Sequence, residues 1–327
     1  MSTASTGTPS PVVSAPPQPA TETANTIGRA LMLLGDQWTL LILQRAFLGA
    51  ERFQDWYDGL NISNASLSAR LAQLVEAGVL LRTPARAGGG RSVYRLSESG
   101  LGTWTVFVAI WRWEQDWISA PRPTPTELVH DDCGARGIAP QLRCTACHKP
   151  ASLRNVTARP LAELAVIERS FVPRRHRQQR TALEAGDRLT FHAETMEILG
   201  DRWNIPLLAV SMLGLRRFSE FERALGLPPS VLSQRLRRLT ELEVFAADSG
   251  ERTDHRREYR LTRKGRAFFD VLMLLSDWGN QYIPSADGNS LILDHVPCGL
   301  PLHPELACSG CDRTLSRASI HFALSFT

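Results

Sequence analysis

All six cysteines of this 327-residue chain fall in two tight clusters, "HDDCGARGIAPQLRCTAC" and "HVPCGLPLHPELACSGC". The first has the spacing H-x2-C-x10-C-x2-C and supplies His130, Cys133, Cys144 and Cys147. The second, H-x2-C-x9-C-x2-C, supplies His295, Cys298, Cys308 and Cys311. A C-x2-C knuckle offers two thiolates from one tight turn, and zinc takes four sulfur or nitrogen donors tetrahedrally. Each cluster therefore carries the donors for one zinc ion, with Gly134 and Gly299 easing the first turn. In a cytosolic chain such spacing points to metal ahead of a disulfide. Redox-active or plainly buried cysteines would also fit it. The fourth donor is the least fixed, because His148 or a water could replace His130. Four closed ligands make a structural site, so the expected cofactor is structural zinc, up to two ions, with no catalytic role.

The elements that must position these donors also occur twice. At an offset of 165 residues, Leu34-Gly35-Asp36 and Trp38 match Leu199-Gly200-Asp201 and Trp203. Arg52-Phe53 matches Arg217-Phe218, and Tyr94-Arg95-Leu96 matches Tyr259-Arg260-Leu261. Leu67, Ser68, Arg70, Leu71 and Leu74 return as Leu232, Ser233, Arg235, Leu236 and Leu239, and Trp113 returns as Trp278. A register kept this long without a gap means two copies of one domain.

Each copy has the same plan. "DQWTLLILQRAFLG" has helical apolar spacing and stops at Gly49, and "RFQDWYDGL" is a second, shorter helix. "SNASLSARLAQLVEAGVL" follows, with Ser63 as N-cap and Gly78 as stop. "VLLRTP" and "SVYRLS" form a hairpin around "ARAGGGR", and an aromatic helix spans roughly residues 98–119. The expected fold class is mainly α with small β-wings. It consists of tandem winged helix-turn-helix domains, each followed by a small Cys-rich, zinc-ribbon-like module. The boundaries run 1–25 for a disordered tail, 26–119 for the first winged domain and 120–158 for a linker with the first Cys module. A connecting segment takes 159–190, the second winged domain 191–284 and the second Cys module 285–327.

At about 100° per residue, Leu67, Leu71 and Leu74 share the core face of the third helix. In a helix-turn-helix this helix enters the major groove of double-stranded DNA, its N-terminal residues meeting base edges. The first copy offers Ala65, Ser66, Ser68, Ala69 and Gln73, which are small or neutral. The second offers Ser230, Ser233, Gln234, Arg237 and Arg238, and Arg and Gln pair well with guanine and adenine. Arg70 and Arg235 sit at the edge of the core, where a phosphate contact and a structural ion pair are equally open. Basic hairpin tips, Arg86 and Arg91 in one copy and Arg252, His255, Arg256 and Arg257 in the other, suit phosphate or minor-groove contact.

These motifs taken together resemble the HxlR-type winged-helix transcriptional regulators of bacteria. The resemblance rests on "LLGDQWTLLIL", "RF", "LSARLAQLVEAGVL", "YRLSESG" and Trp113, and again on "ILGDRWNIPLL", "RF", "LSQRLRRL", "YRLTRKG" and Trp278. It implies sequence-specific DNA binding, usually by a dimer whose terminal helices meet at the interface. Two copies in one chain suggest an intramolecular pseudo-dimer, with a homodimer as the alternative, and an asymmetric operator. Some relatives sense oxidants through a Cys near the N-terminus. No Cys precedes Leu34 or Leu199 in that way.

Net charge is +4, a mild basic lean compatible with a polyanion. No apolar run approaches a membrane span, and the first 25 residues lack Lys and Arg, so a cytoplasmic protein without a signal peptide or membrane partner is expected. No nucleophile–base pair, cofactor loop or metallohydrolase motif points to an enzyme; "HAE" at 192–194 reads as helix surface. Trp104, Phe107, Trp111, Trp113 and Trp117 crowd one helix, as an interface or core stripe with the lining of a small-molecule effector pocket as the lesser alternative. The rival function is a protein-interaction scaffold without specific DNA binding.

Overall fold

The computed structural model describes Ala30 and residues 33–83, 92–119, 126–158, 191–201, 203–248, 257–283 and 292–324. In the first half, α1 (Gln37–Phe47), α2 (Phe53–Gly59) and α3 (Asn64–Glu76) precede a wing of β1 (Leu80–Thr83) and β2 (Val93–Leu96). Asp36 caps α1 by accepting from the backbone N–H groups of Trp38 and Thr39 at 3.1 and 3.2 Å. Ser63 caps α3 by accepting from Ser66 N–H at 3.2 Å, the role expected of it. Leu67, Leu71 and Leu74 are buried against Trp56, whose indole N–H donates to Ile42 O at 2.9 Å.

The expected helix over 98–119 is instead two, α4 (Glu98–Gly102) and α5 (Trp104–Trp117). The break is at Thr103, whose hydroxyl donates to Gly100 O at 2.7 Å in the core. Gly100 admits no side chain, since a Cβ there would sit 2.3 Å from Val79 O.

The second half follows with α6 (Ala193–Gly200), α7 (Asn204–Met212), α8 (Phe218–Leu225) and α9 (Pro229–Glu241). The wing is β6 (Phe245–Ala247) and β7 (Tyr259–Leu261), followed by α10 (Arg263–Ala267) and α11 (Phe269–Tyr282). Wing registers correspond, with Leu80 opposite Leu96 and Phe245 opposite Leu261. Among the described residues no helix is long and apolar enough to cross a membrane.

The halves meet along α5 and α11, and their contacts are reciprocal. Trp113 Nε1 donates to Lys264 O at 3.1 Å, and Trp278 Nε1 donates to Ser99 O at 2.8 Å. These are the same bond under the offset of 165. The aromatic stripe is therefore an interface: Trp113 lies edge-on to Phe268, and Phe107 stacks on Phe191.

Each winged domain is followed by its Cys-rich segment, as expected, and the two segments pair strands with each other. The first contributes β3 (Thr126–His130), β4 (Gln141–Cys144) and β5 (Val156–Ala158). The second contributes β8 (Leu293–His295), β9 (Leu300–Pro301), β10 (Pro304–Ala307) and β11 (Ile320–Leu324). β3 pairs with β11, β4 with β10, and β5 with β8, all antiparallel. His130 faces Ile320 in register and His295 faces Val156, again the same contact twice. Leu142 faces its own counterpart Leu306, which is where a two-fold relation would pass through the sheet.

Two predictions follow from this packing. Gly78 ends its turn at φ 70°, whereas its counterpart Glu243 is held at φ 58° without glycine's freedom. Glu243→Gly should raise stability by about 0.5–1 kcal/mol, read as a higher urea midpoint. Asp270 on α11 faces the Arg112–Asp116 ion pair of α5 (2.7 Å), and burial pushes its carboxyl up to about 7, with Arg112 opposing and Asp116 reinforcing. The folded chain then holds a proton that the unfolded chain releases near pH 4, so this group costs stability as pH rises from about 4 through 7. Asp270→Asn should flatten that part of the profile of urea midpoint against pH.

Candidate nucleic-acid interface and metal centres

The apolar spacing of α3 and α9 leaves one face of each helix outward. On α3, Ala65, Ser66, Ser68 and Ala69 are exposed and Gln73 is half-buried. On α9, Ser230, Gln234 and Arg237 are exposed and Ser233 is half-buried. Gln234 and Arg237 make no ion pair or hydrogen bond among the described residues. They are the two long polar side chains left to meet a ligand on this face.

The other arginines of these helices are engaged. Arg70 reaches back to Asp36 at 2.8 Å, and Arg235 to Asp201 at 2.7 Å. Of the two readings open for this pair, the structure adopts the ion pair. It also explains the repeated Leu-Gly-Asp: each Asp caps or turns the backbone through one oxygen and takes the arginine on the other. Arg238, expected on the reading face, forks instead onto Glu197 of α6 at 2.5 and 2.6 Å and touches Glu241 at 2.8 Å.

Of the wing residues, Arg86, Arg91, Arg252, His255 and Arg256 lie outside the described residues, and Arg257 is half-buried two residues before the second wing strand. Sequence reasoning passed over Arg82 on β1, which is exposed, donates to Ser92 Oγ at 3.0 Å and lies over the Tyr94 ring at 5.9 Å. Its signal was an arginine in a wing strand, although by alternation it shares the face of the buried Leu80. Arg95 and Arg260, on the opposite strands, pair with Glu51 and Glu258.

The eight Cys and His candidates do converge, but not as the spacing suggested. Each four-donor set draws two ligands from each half: His130 and Cys133 with Cys308 and Cys311, and Cys144 and Cys147 with His295 and Cys298. Taking each linear cluster as one site is thus corrected, because antiparallel pairing of the segments brings each H-x2-C turn against the other segment's knuckle. In the first set His130 Nδ1 lies 3.2 Å from Cys133 Sγ and 3.4 Å from Cys311 Sγ, and Cys133 Sγ lies 3.9 Å from Cys308 Sγ. In the second, His295 Nδ1 is 3.3 Å from Cys147 Sγ and 3.5 Å from Cys298 Sγ, and Cys144 Sγ is 3.9 Å from Cys298 Sγ. Each set could hold a metal ion. His148 is no ligand: it is exposed and turned to Glu305 Oε1 at 2.8 Å.

Two thiols of the first set are shifted in opposite directions: against the backbone N–H of Ala135, Cys133 is pushed up by burial and by the Cys311 and Cys308 thiols beside it. The backbone N–H of Arg313, and after it the guanidinium, hold the Cys311 thiol down at about 6. His295 Nε2 lies 3.2 Å from Pro150 O, a carbonyl able to fix the tautomer that turns Nδ1 to the thiols. Both imidazoles are fully buried.

A sequence profile for the HxlR-like helix-turn-helix matches residues 33–122 and again 198–287, more than half of the chain. The chain belongs to the HxlR-like helix-turn-helix family. The uncharacterized HTH-type transcriptional regulator Rv3095 of Mycobacterium tuberculosis is 40% identical over 134 residues, which are 41% of this chain and 84% of that protein. The uncharacterized regulator YvaP of Bacillus subtilis is 39% identical over 92 residues, 28% of this chain and 84% of its own. The crystal structure of PA1607 is 34% identical, covering 38% of this chain and 87% of that one with a TM-score of 0.34. A match to most of Rv3095 thus uses less than half of this chain, which carries two HxlR-like units.

Arg238 of the second HxlR-like unit gives a direct check. A double-mutant cycle of Arg238→Ala with Glu197→Ala should return a coupling of about 0.5–1 kcal/mol in folding stability, the range for a partly exposed, well-oriented pair. A cycle with no coupling would return Arg238 to the reading face.

Proposed function

We propose that this HxlR-like protein is a sequence-specific DNA-binding transcriptional regulator, with α3 and α9 reading two half-sites of double-stranded DNA. The observation that carries the reading is the outward face of α9, where Gln234 and Arg237 stand unengaged beside Ser230 on the second helix of a helix-turn-helix. Both side chains can make bidentate contacts to base edges, Arg to guanine and Gln to adenine. On α3 the small Ala65, Ser66, Ser68 and Ala69 permit close approach or thymine-methyl contact and supply no charge. Arg256 and its neighbours at the wing tips, with Arg82, supply phosphate contacts.

The reciprocal bonds of Trp113 and Trp278 support an intramolecular pseudo-dimer, the arrangement that a homodimeric relative reaches with two chains. Joining the units raises the effective concentration of the second contact, to the millimolar range for short linkers. The half-sites would lie about 34 Å apart, one turn of the duplex. Because the two reading faces differ, the operator is asymmetric.

Zinc is the ion that suits the Cys and His sets. With bonds of about 2.3 Å to sulfur and 2.1 Å to nitrogen, a tetrahedron spaces its donors roughly 3.6–3.8 Å apart. The separations of 3.2–3.9 Å match that spacing within a few tenths. Three thiolates and an imidazole close the coordination shell, which makes each site structural.

Fluorescence anisotropy of the purified chain on DNA from upstream of its own gene, against scrambled duplex at two salt concentrations, tests the DNA reading. Tighter binding to the upstream duplex that weakens steeply with salt is the expected result. Arg237→Ala should cost about 1–3 kcal/mol on the specific site and relax its discrimination, while Arg256→Ala should weaken both duplexes alike. Absence of binding at low salt would transfer the assignment to a protein-interaction scaffold.

A further inference from the structure

We infer that the two metal ions are clasps between the halves of the chain, each ion held by both halves and neither half able to complete a site with its own donors. The inference rests on the zinc assignment above and is independent of the DNA reading.

Three observations converge on it. Within the first half, His130 and Cys133 belong to one set and Cys144 and Cys147 to the other, so its four donors never meet around one point. The second half divides in the same way. The donors that do meet are distant along the chain: Cys133 and Cys308 are 175 residues apart, and Cys147 and His295 are 148 apart.

Next, the backbone around the donors is cut to the crossed pattern. Each knuckle turn is closed by the same bond, from His148 N–H to Cys144 O at 2.8 Å and from Asp312 N–H to Cys308 O at 3.0 Å. His148 and Asp312 both take positive φ, 54° and 65°. Further contacts cross beside each set. Thr145 N–H donates to His303 O, Asp131 N–H to Ser319 O, and Ala139 N–H to Ser309 Oγ, each within 3.0 Å. Arg143 of the first half pairs with Asp312 of the second.

Last, the chemistry of the pocket asks for an ion. Three thiols and a buried imidazole are poor hydrogen-bonding partners for one another, and in both sets it is the imidazole Nδ1 that is turned to the thiols. Without a cation the cluster buries polar atoms for little return. With one, all four donors of each set are used.

Metal stoichiometry in paired variants of the full chain decides the matter, because crossed and uncrossed ligand sets predict opposite results. Wild type purified with zinc should carry two ions per chain by native mass spectrometry. Cys133→Ser/Cys311→Ser removes two ligands of a single crossed set and should leave one ion. Cys133→Ser/Cys147→Ser, confined to the first half, should leave none. The reverse outcome, none for the first pair and one for the second, would place each ion within one half and overturn the proposal, as would a wild type that binds no zinc. Should the variants fail to fold, wild type loaded with cadmium-113 gives the same answer. Each metal resonance must then correlate with cysteine Hβ protons from both halves, Cys133 with Cys308 and Cys311, and Cys144 and Cys147 with Cys298. Correlations confined to one half would refute the clasp.

Discussion

An indole N–H taken out of water must find an acceptor, and in this protein the acceptors of two such groups lie across the interface. Trp113 of the first half donates to Lys264 O, and Trp278 of the second donates to Ser99 O. Leaving either unmet would cost about 1–3 kcal/mol, so the α5–α11 packing has little freedom to slide. Lys264 illustrates how tightly the junction is specified. Its carbonyl receives Trp113, while its buried ammonium reaches Glu194 Oε2 at 3.0 Å and lies 5.7 Å from the Trp113 ring. One residue of the second half thus meets the first through backbone and charge together. With the last helices fixed, the segments that follow them leave from matched positions and can pair strand to strand.

Much of the individual domain was legible from residue patterns, because the forces that shape it are local. A period of 3.6 placed Leu67, Leu71 and Leu74 inside, and short-range capping placed Ser63. The wing followed from alternation and a glycine-rich tip. What escaped was longer in range. Arg238 has the character of a base-contacting residue, and its pairing with Glu197, 41 residues earlier in the chain, could not be read from the helix pattern. The helix breaks at Thr103, after Gly100 and Gly102, with its buried hydroxyl bonded to Gly100 O.

The ligand sets show the same limit more sharply. Spacing picks out all eight residues that come together, since a C-x2-C knuckle and an H-x2-C turn are local geometries. Which knuckle faces which turn is a matter of strand pairing, and antiparallel pairing across an approximate two-fold relation exchanges them. A linear pattern repeated twice is compatible with both arrangements, so the repeat itself gave no warning.

Two units in one chain also escape a constraint that binds a homodimer. When two identical subunits read DNA, any change in the reading helix appears in both half-sites at once, and the operator must change symmetrically. Here the core side of α3 and α9 is kept, leucine for leucine, while the outward side has diverged from Ala65 and Ala69 to Ser230 and Gln234. The turn that follows has diverged too, from Gly78 to a strained Glu243. The Asp36–Arg70 and Asp201–Arg235 pairs that brace each reading helix against the first helices of its domain have not. Buried positions elsewhere in the domain have changed too, Trp56 to Phe221 and Leu80 to Phe245, but on α3 and α9 the divergence lies largely outward. That is the pattern expected if packing must stay reciprocal while the two reading surfaces answer to different sequences.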